Sequence, residues 1–188
     1  MPPNPNPCTD MLTDLEYLEH MIPHHQVAID MSNLLIPETD DPFILHLCRD
    51  IIRKQEYEIW EMTMMMNAIS DTIVSNDISQ KNNVSTALNT YYPDKSKSKN
   101  TECNPLFFKP DDHAHHMTHM KVTRKSYLEH MIPHHQVAID MSKRLLLHTN
   151  HTYLIDFCRK LIIDQQNEIF LMHSLLEKEN YSHSSELL

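Results

Sequence analysis

The sequence predicts an all-α protein, a bundle of four helices in two repeated antiparallel pairs. Three observations carry this. YLEHMIPHHQVAIDMS occurs twice, at Tyr17–Ser32 and Tyr127–Ser142. Beyond it, the same offset of 110 aligns Phe43–Met62 with Tyr153–Met172 without a gap. And the chain of 188 residues has no glycine, where average usage of about 7% predicts roughly a dozen. Glycine supplies the positive φ of tight hairpin turns. Its absence points away from a hairpin-rich β protein and towards helices with looser connections.

The first helix is predicted over about 11–36. At 100° per residue, Leu15, Leu18, Met21, Ile22, His25, Ala28, Ile29 and Ser32 share one broad face. Glu16, Glu19, Gln26 and Asp30 lie opposite, and Val27 falls with them. Pro23 sits inside the pattern. A proline there removes one backbone hydrogen bond and bends the rod. The alternative is that Pro23 opens a helix, but the apolar period runs through it. The second helix is predicted over about 42–69. The aligned stretch keeps Cys48/Cys158, Arg49/Arg159, Ile52/Ile162, Gln55/Gln165, Glu58/Glu168, Ile59/Ile169 and Met62/Met172. Positions 48, 52, 55, 59 and 62 are spaced four, three, four, three, which is one stripe of a helix. Diverged copies kept that stripe, so it turns inward. The third and fourth helices repeat these over 121–148 and 151–179.

One helix pair has too little core to stand alone, and two pairs make a four-helix bundle. The whole chain, 1–188, therefore reads as one domain. Unit one spans 11–69, a polar linker 76–120, and unit two 121–179. The linker, with SDTIVSNDISQKNNVS leading into it and DKSKSKN inside it, reads as solvated or disordered. A connection of that length can cross the bundle, as in ferritin-like topologies.

Composition excludes several function classes. The formal charge of −10 disfavours a basic nucleic-acid-binding surface. No apolar run is long enough for a membrane span. The start, MPPNPNPCTDML, shows no signal peptide. Protonating all fifteen histidines would swing the charge from −10 to +5, which keeps a pH-sensing module open as an alternative.

The outliers are fifteen histidines and thirteen methionines. Met21 sits near the centre of the inward face, with His25 and His24 to either side; Met131, His134 and His135 repeat the set. A lone histidine on such a face is usually a satisfied core residue. Four converging imidazoles are costly to bury without partners, and a metal ion is one. His20 and His130, one turn earlier, lie at the rim. Met31 and Met141 read as core. Gln55 and Glu58, with Gln165 and Glu168, would orient the histidines from behind, since metal-bound imidazole usually gives its other N–H to a carboxylate or carbonyl. The competing reading is Glu58 on a solvated edge, paired with Arg49 or Lys54. Met62 and Met172 on the same stripe are further candidate ligands. His113, His115, His116, Met117, His119 and Met120 form a histidine–methionine tract ahead of the third helix, a composition that reads as metal binding. Met64, Met65 and Met66 point in three directions and cannot all be core. Cys48 and Cys158, repeat equivalents on the inward stripe, read as a disulfide, two thiols or two soft ligands; of the three pairings that four cysteines allow, symmetry favours Cys48–Cys158 with Cys8–Cys103.

Thioether sulfur with imidazole suits Cu(I), and by softness Ag(I); zinc is a weaker alternative because it rarely takes methionine. The di-iron bundles use Glu-x-x-His pairs, and this chain contains none. An oxidase is therefore the least supported reading and no enzyme activity is expected. The leading expectation is sequestration, storage or delivery of Cu(I) or Ag(I), with a metal-donor or acceptor protein or a second copy as partner. A structural or interaction bundle is the alternative.

MIPHHQVAIDM followed by Q-x-x-E-I-x-x-M resembles the domain-of-unknown-function family 305, which carries this signature twice around a His/Met stretch. The matches are Met21–Gln26, Ala28–Met31, Gln55, Glu58, Ile59 and Met62, then Met131–Gln136, Ala138–Met141, Gln165, Glu168, Ile169 and Met172. The resemblance covers about 10–75 and 113–176. It implies a ferritin-like bundle, usually exported to the periplasm or cell exterior, with copper binding and tolerance and no established catalysis. This chain departs from it in carrying Val27 and Val137 where the family often has glycine, in its missing export signal and in its long linker.

Overall fold

The computed structural model describes residues 12–79 and 122–185. They form four α-helices: α1 (Asp14–Leu35), α2 (Pro42–Ser79), α3 (Arg124–Leu145) and α4 (Thr152–Ser185), with a 3-10 turn at Ile36–Glu38. The all-α bundle of two repeated pairs is what the sequence predicted. Pro23 and Pro133 lie within continuous helices. The apolar period that runs through each proline outweighs the one hydrogen bond it removes.

The helix starts follow from local chemistry. Thr13 and Glu16 form a reciprocal capping box, with the Thr13 hydroxyl accepting from the Glu16 amide at 3.1 Å. Thr123 and Ser126 do the same for α3. Asp41 accepts from the amides of Phe43 and Ile44, with Pro42 opening α2 in the first turn. At the head of α4 the cap is the His151 ring, which accepts from the Leu154 amide at 3.3 Å. The first and third helices are up to three residues shorter at their ends than expected, and two boundaries lie further out. Residues 76–79, expected in the linker, belong to α2, and α4 runs to Ser185 rather than 179. Neither extension contains proline or glycine, and a nucleated helix propagates cheaply through such residues. The remainder of the expected linker lies outside the described residues.

α1 packs antiparallel on α2 and α3 on α4; α1 meets α3 face to face, whereas α2 and α4 barely touch. Tyr17 bonds Ser142 and Tyr127 bonds Ser32, so α1 and α3 run antiparallel about a pseudo-twofold axis. α2 and α3 are then parallel, the ferritin-like order of directions. The apolar core divides into two equivalent halves. One joins Tyr17, Leu18, Met21 and Met62 to Val137, Met141, Phe157 and Leu161. The other joins Ala28, Met31, Ile44 and Leu47 to Tyr127, Leu128, Met131 and Met172. Each fully buried aliphatic or methionine side chain contributes roughly 1.5–3 kcal/mol. Val27 and Val137, placed by the wheel with the polar residues, are buried. α1 and α3 are each covered on two sides, so their buried arc is wider than a single apolar stripe. No helix among the described residues is long and apolar enough to cross a membrane.

Candidate metal-binding waist of the bundle

Between the two apolar halves lies a polar layer. α1 contributes His24 and His25, α3 contributes His134 and His135, α2 contributes Gln55 and Glu58, and α4 contributes Gln165 and Glu168. All eight are buried, and the four imidazoles are fully enclosed. Helical spacing explains the layer. His24 and His25 follow Met21 by three and four residues, and Glu58 follows Gln55 by three, so each group shares a face. Antiparallel packing brings those faces to one level.

His25 Nε2 donates to Glu58 Oε2 at 2.8 Å, and His135 Nε2 donates to Glu168 Oε2 at 2.9 Å. A carboxylate only accepts, so Nε2 carries the proton and a neutral ring keeps its lone pair on Nδ1. The Nδ1 atoms of His25 and His135 are buried with no hydrogen-bond partner, as are both amide atoms of Gln55 and of Gln165. On the axis the rings of His24 and His134 stack, 3.6 Å between centroids and 19° from parallel, and His24 Nε2 donates to the His134 carbonyl at 3.1 Å. Burial holds His24 well below the ordinary imidazole range, and the neighbouring charges of His25 and His135 add to this. Burial, then His24 and His135, does the same to His134. These two rings are therefore neutral at pH 7.

The two halves differ in charge at Lys54. Lys54 Nζ lies 2.8 Å from Glu168 Oε1 and 3.0 Å from Asp50. Burial alone would raise the Glu168 carboxyl, but the hydrogen bond and charge of His135, with those of Lys54, outweigh it and hold it below its ordinary value. The expected competing pairing, Glu58 with Lys54 or Arg49, is not what forms; Lys54 reaches the glutamate of the other repeat.

Met21, Met131, Met62 and Met172 are fully buried next to the waist, and Met31 and Met141 are core. His20 and His130 sit half-buried at the rim, with the His130 ring 6.0 Å from that of His134. Burial lowers the His20 pKa. Met64 is exposed, Met65 buried and Met66 between. The expected Cys48–Cys158 disulfide is corrected: both are free, buried thiols. The pseudo-axis places them in opposite core halves. Cys158 lies beside the Tyr17 hydroxyl and Cys48 beside that of Tyr127. Burial pushes both thiols up to about 11. The tract His113, His115, His116, Met117, His119 and Met120, and the pair Cys8–Cys103, lie outside the described residues.

Sequence reasoning missed the crossed Tyr17–Ser142 and Tyr127–Ser32 bonds, both 2.7 Å and buried. Their signal was the identity of both end residues of the duplicated block, each end pairing with the opposite end of its copy. It also missed the reach of Lys54 across to Glu168; its repeat equivalent is Asp164, a charge reversal visible in the alignment.

The donor chemistry of this layer suits a soft or borderline cation: imidazole nitrogen, thioether sulfur and buried amides with open valences. In the arrangement described, no three His, Cys, Asp or Glu side chains among the described residues are grouped tightly enough to hold an ion. The site therefore fits such an ion in donor type, with two imidazoles oriented by carboxylates.

Fold and layer together define a class, a duplicated four-helix bundle with a buried histidine–carboxylate waist. The chain belongs to the family described as "Domain of unknown function (DUF305)", whose pattern matches residues 14–176. It is similar to CopM solved in the Cu(II)-bound form, at 25% identity and a TM-score of 0.62, covering 90% of this chain and 99% of that one. It is similar to CopM in the Cu(I)-bound form at 26% identity and a TM-score of 0.60, covering 89% and 97%. An uncharacterized protein of Acanthamoeba polyphaga mimivirus is 45% identical over 56 residues, 30% of this chain. The chain spans 37% of the length of that relative.

Proposed function

We propose that this protein binds Cu(I), and Ag(I) by the same softness, in order to sequester, store or deliver it. His24, His25, His134 and His135 are the imidazole donors at the waist, and Met21 and Met131 the thioethers beside them, with Met62 and Met172 as further sulfur donors. His20 and His130 line the rim. The single observation that carries this reading is the buried Nδ1 of His25 and of His135, each left without a hydrogen bond while its Nε2 is held by a glutamate. Leaving a polar atom buried and unsatisfied costs about 1–3 kcal/mol, and a bound ion removes that cost. Glu58 and Glu168 fix the ring orientation and raise ligand basicity. The likeness to CopM structures holding Cu(I) and Cu(II) supports the same class of cargo. The tract His113–Met120 serves as an entry or capping site by its composition. No bond-making chemistry is assigned, and the protein is read as a binding protein rather than an enzyme.

Chelator competition with Cu(I) tests this on the full chain and on the variant His24→Ala/His25→Ala/His134→Ala/His135→Ala. The reading expects loss of the tightest copper in the variant; unchanged affinity and stoichiometry would reject the site.

A further inference from the structure

The repeat is not electrostatically symmetric, and the asymmetry falls on the waist. Lys54 of α2 and Asp164 of α4 occupy equivalent repeat positions. Lys54 is about one-third exposed and bonded to Glu168. Asp164 is partly buried, and its carboxyl is pushed up by burial and by the charges of Glu58 and Glu168, against the pull of Lys54 and Lys160. So the His135–Glu168 pair already has a fixed cation on its carboxylate. The His25–Glu58 pair has instead a second carboxylate nearby.

We propose that the two halves of the waist load in a fixed order: a monovalent soft cation takes the His25–Glu58 half first, because Lys54 stands as an internal counter-cation in the His135–Glu168 half. This rests on the function proposed above and adds an order to it. An ion on His135 Nδ1 meets the Lys54 ammonium across the ring and Glu168, and Lys54 also draws on the carboxylate that makes that ring basic. One on the His25 side gains the field of Asp164. Unit charges within about 10 Å at effective ε near 20 interact strongly enough that the two affinities differ by about tenfold.

The test is NMR of the full chain with histidine rings labelled with nitrogen-15, titrated with Ag(I), which is diamagnetic, in substoichiometric steps. The His25 ring signals move first and those of His135 only after the first equivalent. In Lys54→Met both rings move together, and in Asp164→Asn the lead of His25 shrinks. Simultaneous movement in the unmodified protein, or an order untouched by Lys54→Met, overturns the loading order while leaving the waist a metal site. Neither ring moving while the protein takes up silver overturns the proposed function itself. Should Lys54→Met fail to fold, the order in the unmodified chain still decides.

Discussion

Glutamine in place of Glu168 should destabilise the metal-free protein more than glutamine in place of Glu58, although the two are repeat equivalents. Glutamine keeps the shape and one acceptor oxygen, so each change removes mainly charge. Glu58 accepts from one buried partner, His25, at 2.8 Å. Downgrading a charge-assisted bond to a neutral one costs about 1 kcal/mol, and relief from the Asp164 charge offsets part of it. Glu168 accepts from His135 at 2.9 Å and from Lys54 at 2.8 Å. The first loss is again about 1 kcal/mol. The second is discounted because Lys54 is about one-third exposed and keeps Asp50 at 3.0 Å, leaving about 0.2–1 kcal/mol. The expected costs are therefore below about 1 kcal/mol for Glu58→Gln and about 1.2–2 kcal/mol for Glu168→Gln. With a urea m-value of about 2 kcal/mol/M, the Glu168→Gln midpoint falls about 0.5 M further. Equilibrium urea unfolding followed by far-UV circular dichroism reads this directly. Equal midpoints, or a larger loss for Glu58→Gln, would refute the asymmetric charge environment.

Stability should fall with acid. His24 and His134 have folded pKa values lowered from 6.5, so below pH 6.5 the unfolded chain binds protons that the folded one does not. The resulting loss approaches about 2.7 kcal/mol per pH unit for two such groups, and Glu168 adds to it below its ordinary carboxylate pKa of 4.5; urea midpoints at pH 8, 6 and 5 check this, and a flat profile would be inconsistent with neutral buried rings. With Cys8 and Cys103 replaced by serine, no thiol should react with a disulfide reagent at pH 8 in the native protein and two should react in urea, because Cys48 and Cys158 are buried and free. Met131→Ala should cost about 2–5 kcal/mol by leaving a cavity beside the waist, read by thermal unfolding. Thr13→Ala removes the hydroxyl arm of the capping box and leaves the Glu16 carboxylate on the residue-13 amide, and it should cost about 1 kcal/mol.

Much of this was legible because duplication supplies its own comparison. The stripe at Cys48, Ile52, Gln55, Ile59 and Met62 survived divergence, and it identified both the buried face of α2 and the polar residues on it. The buried histidines were legible because Met21, His24 and His25 share a face with leucine and isoleucine. Periodicity could not tell how many neighbours a helix has, so Val27 was put on the wrong side. Nor could it place a residue along the axis of a partner helix. Symmetry made Cys48 and Cys158 equivalent, but equivalent positions about a twofold meet only on the axis, and these lie towards opposite ends. The residues on the axis are His24 and His134. Gln26 and Asp30 had no core reason to be identical to Gln136 and Asp140. Within each copy the glutamine donates to the aspartate one turn on, at 2.8 and 2.9 Å, a local bond that serves both helices alike.

Copper X-ray absorption of the Cu(I)-loaded protein tests the central claim most directly, with His113, His115, His116 and His119 replaced by serine so that the waist dominates the signal. The account predicts a first shell of imidazole nitrogen with thioether sulfur, and loss of the imidazole scattering when His24, His25, His134 and His135 are changed to alanine. A shell without imidazole, or one unaltered by those four changes, would contradict it.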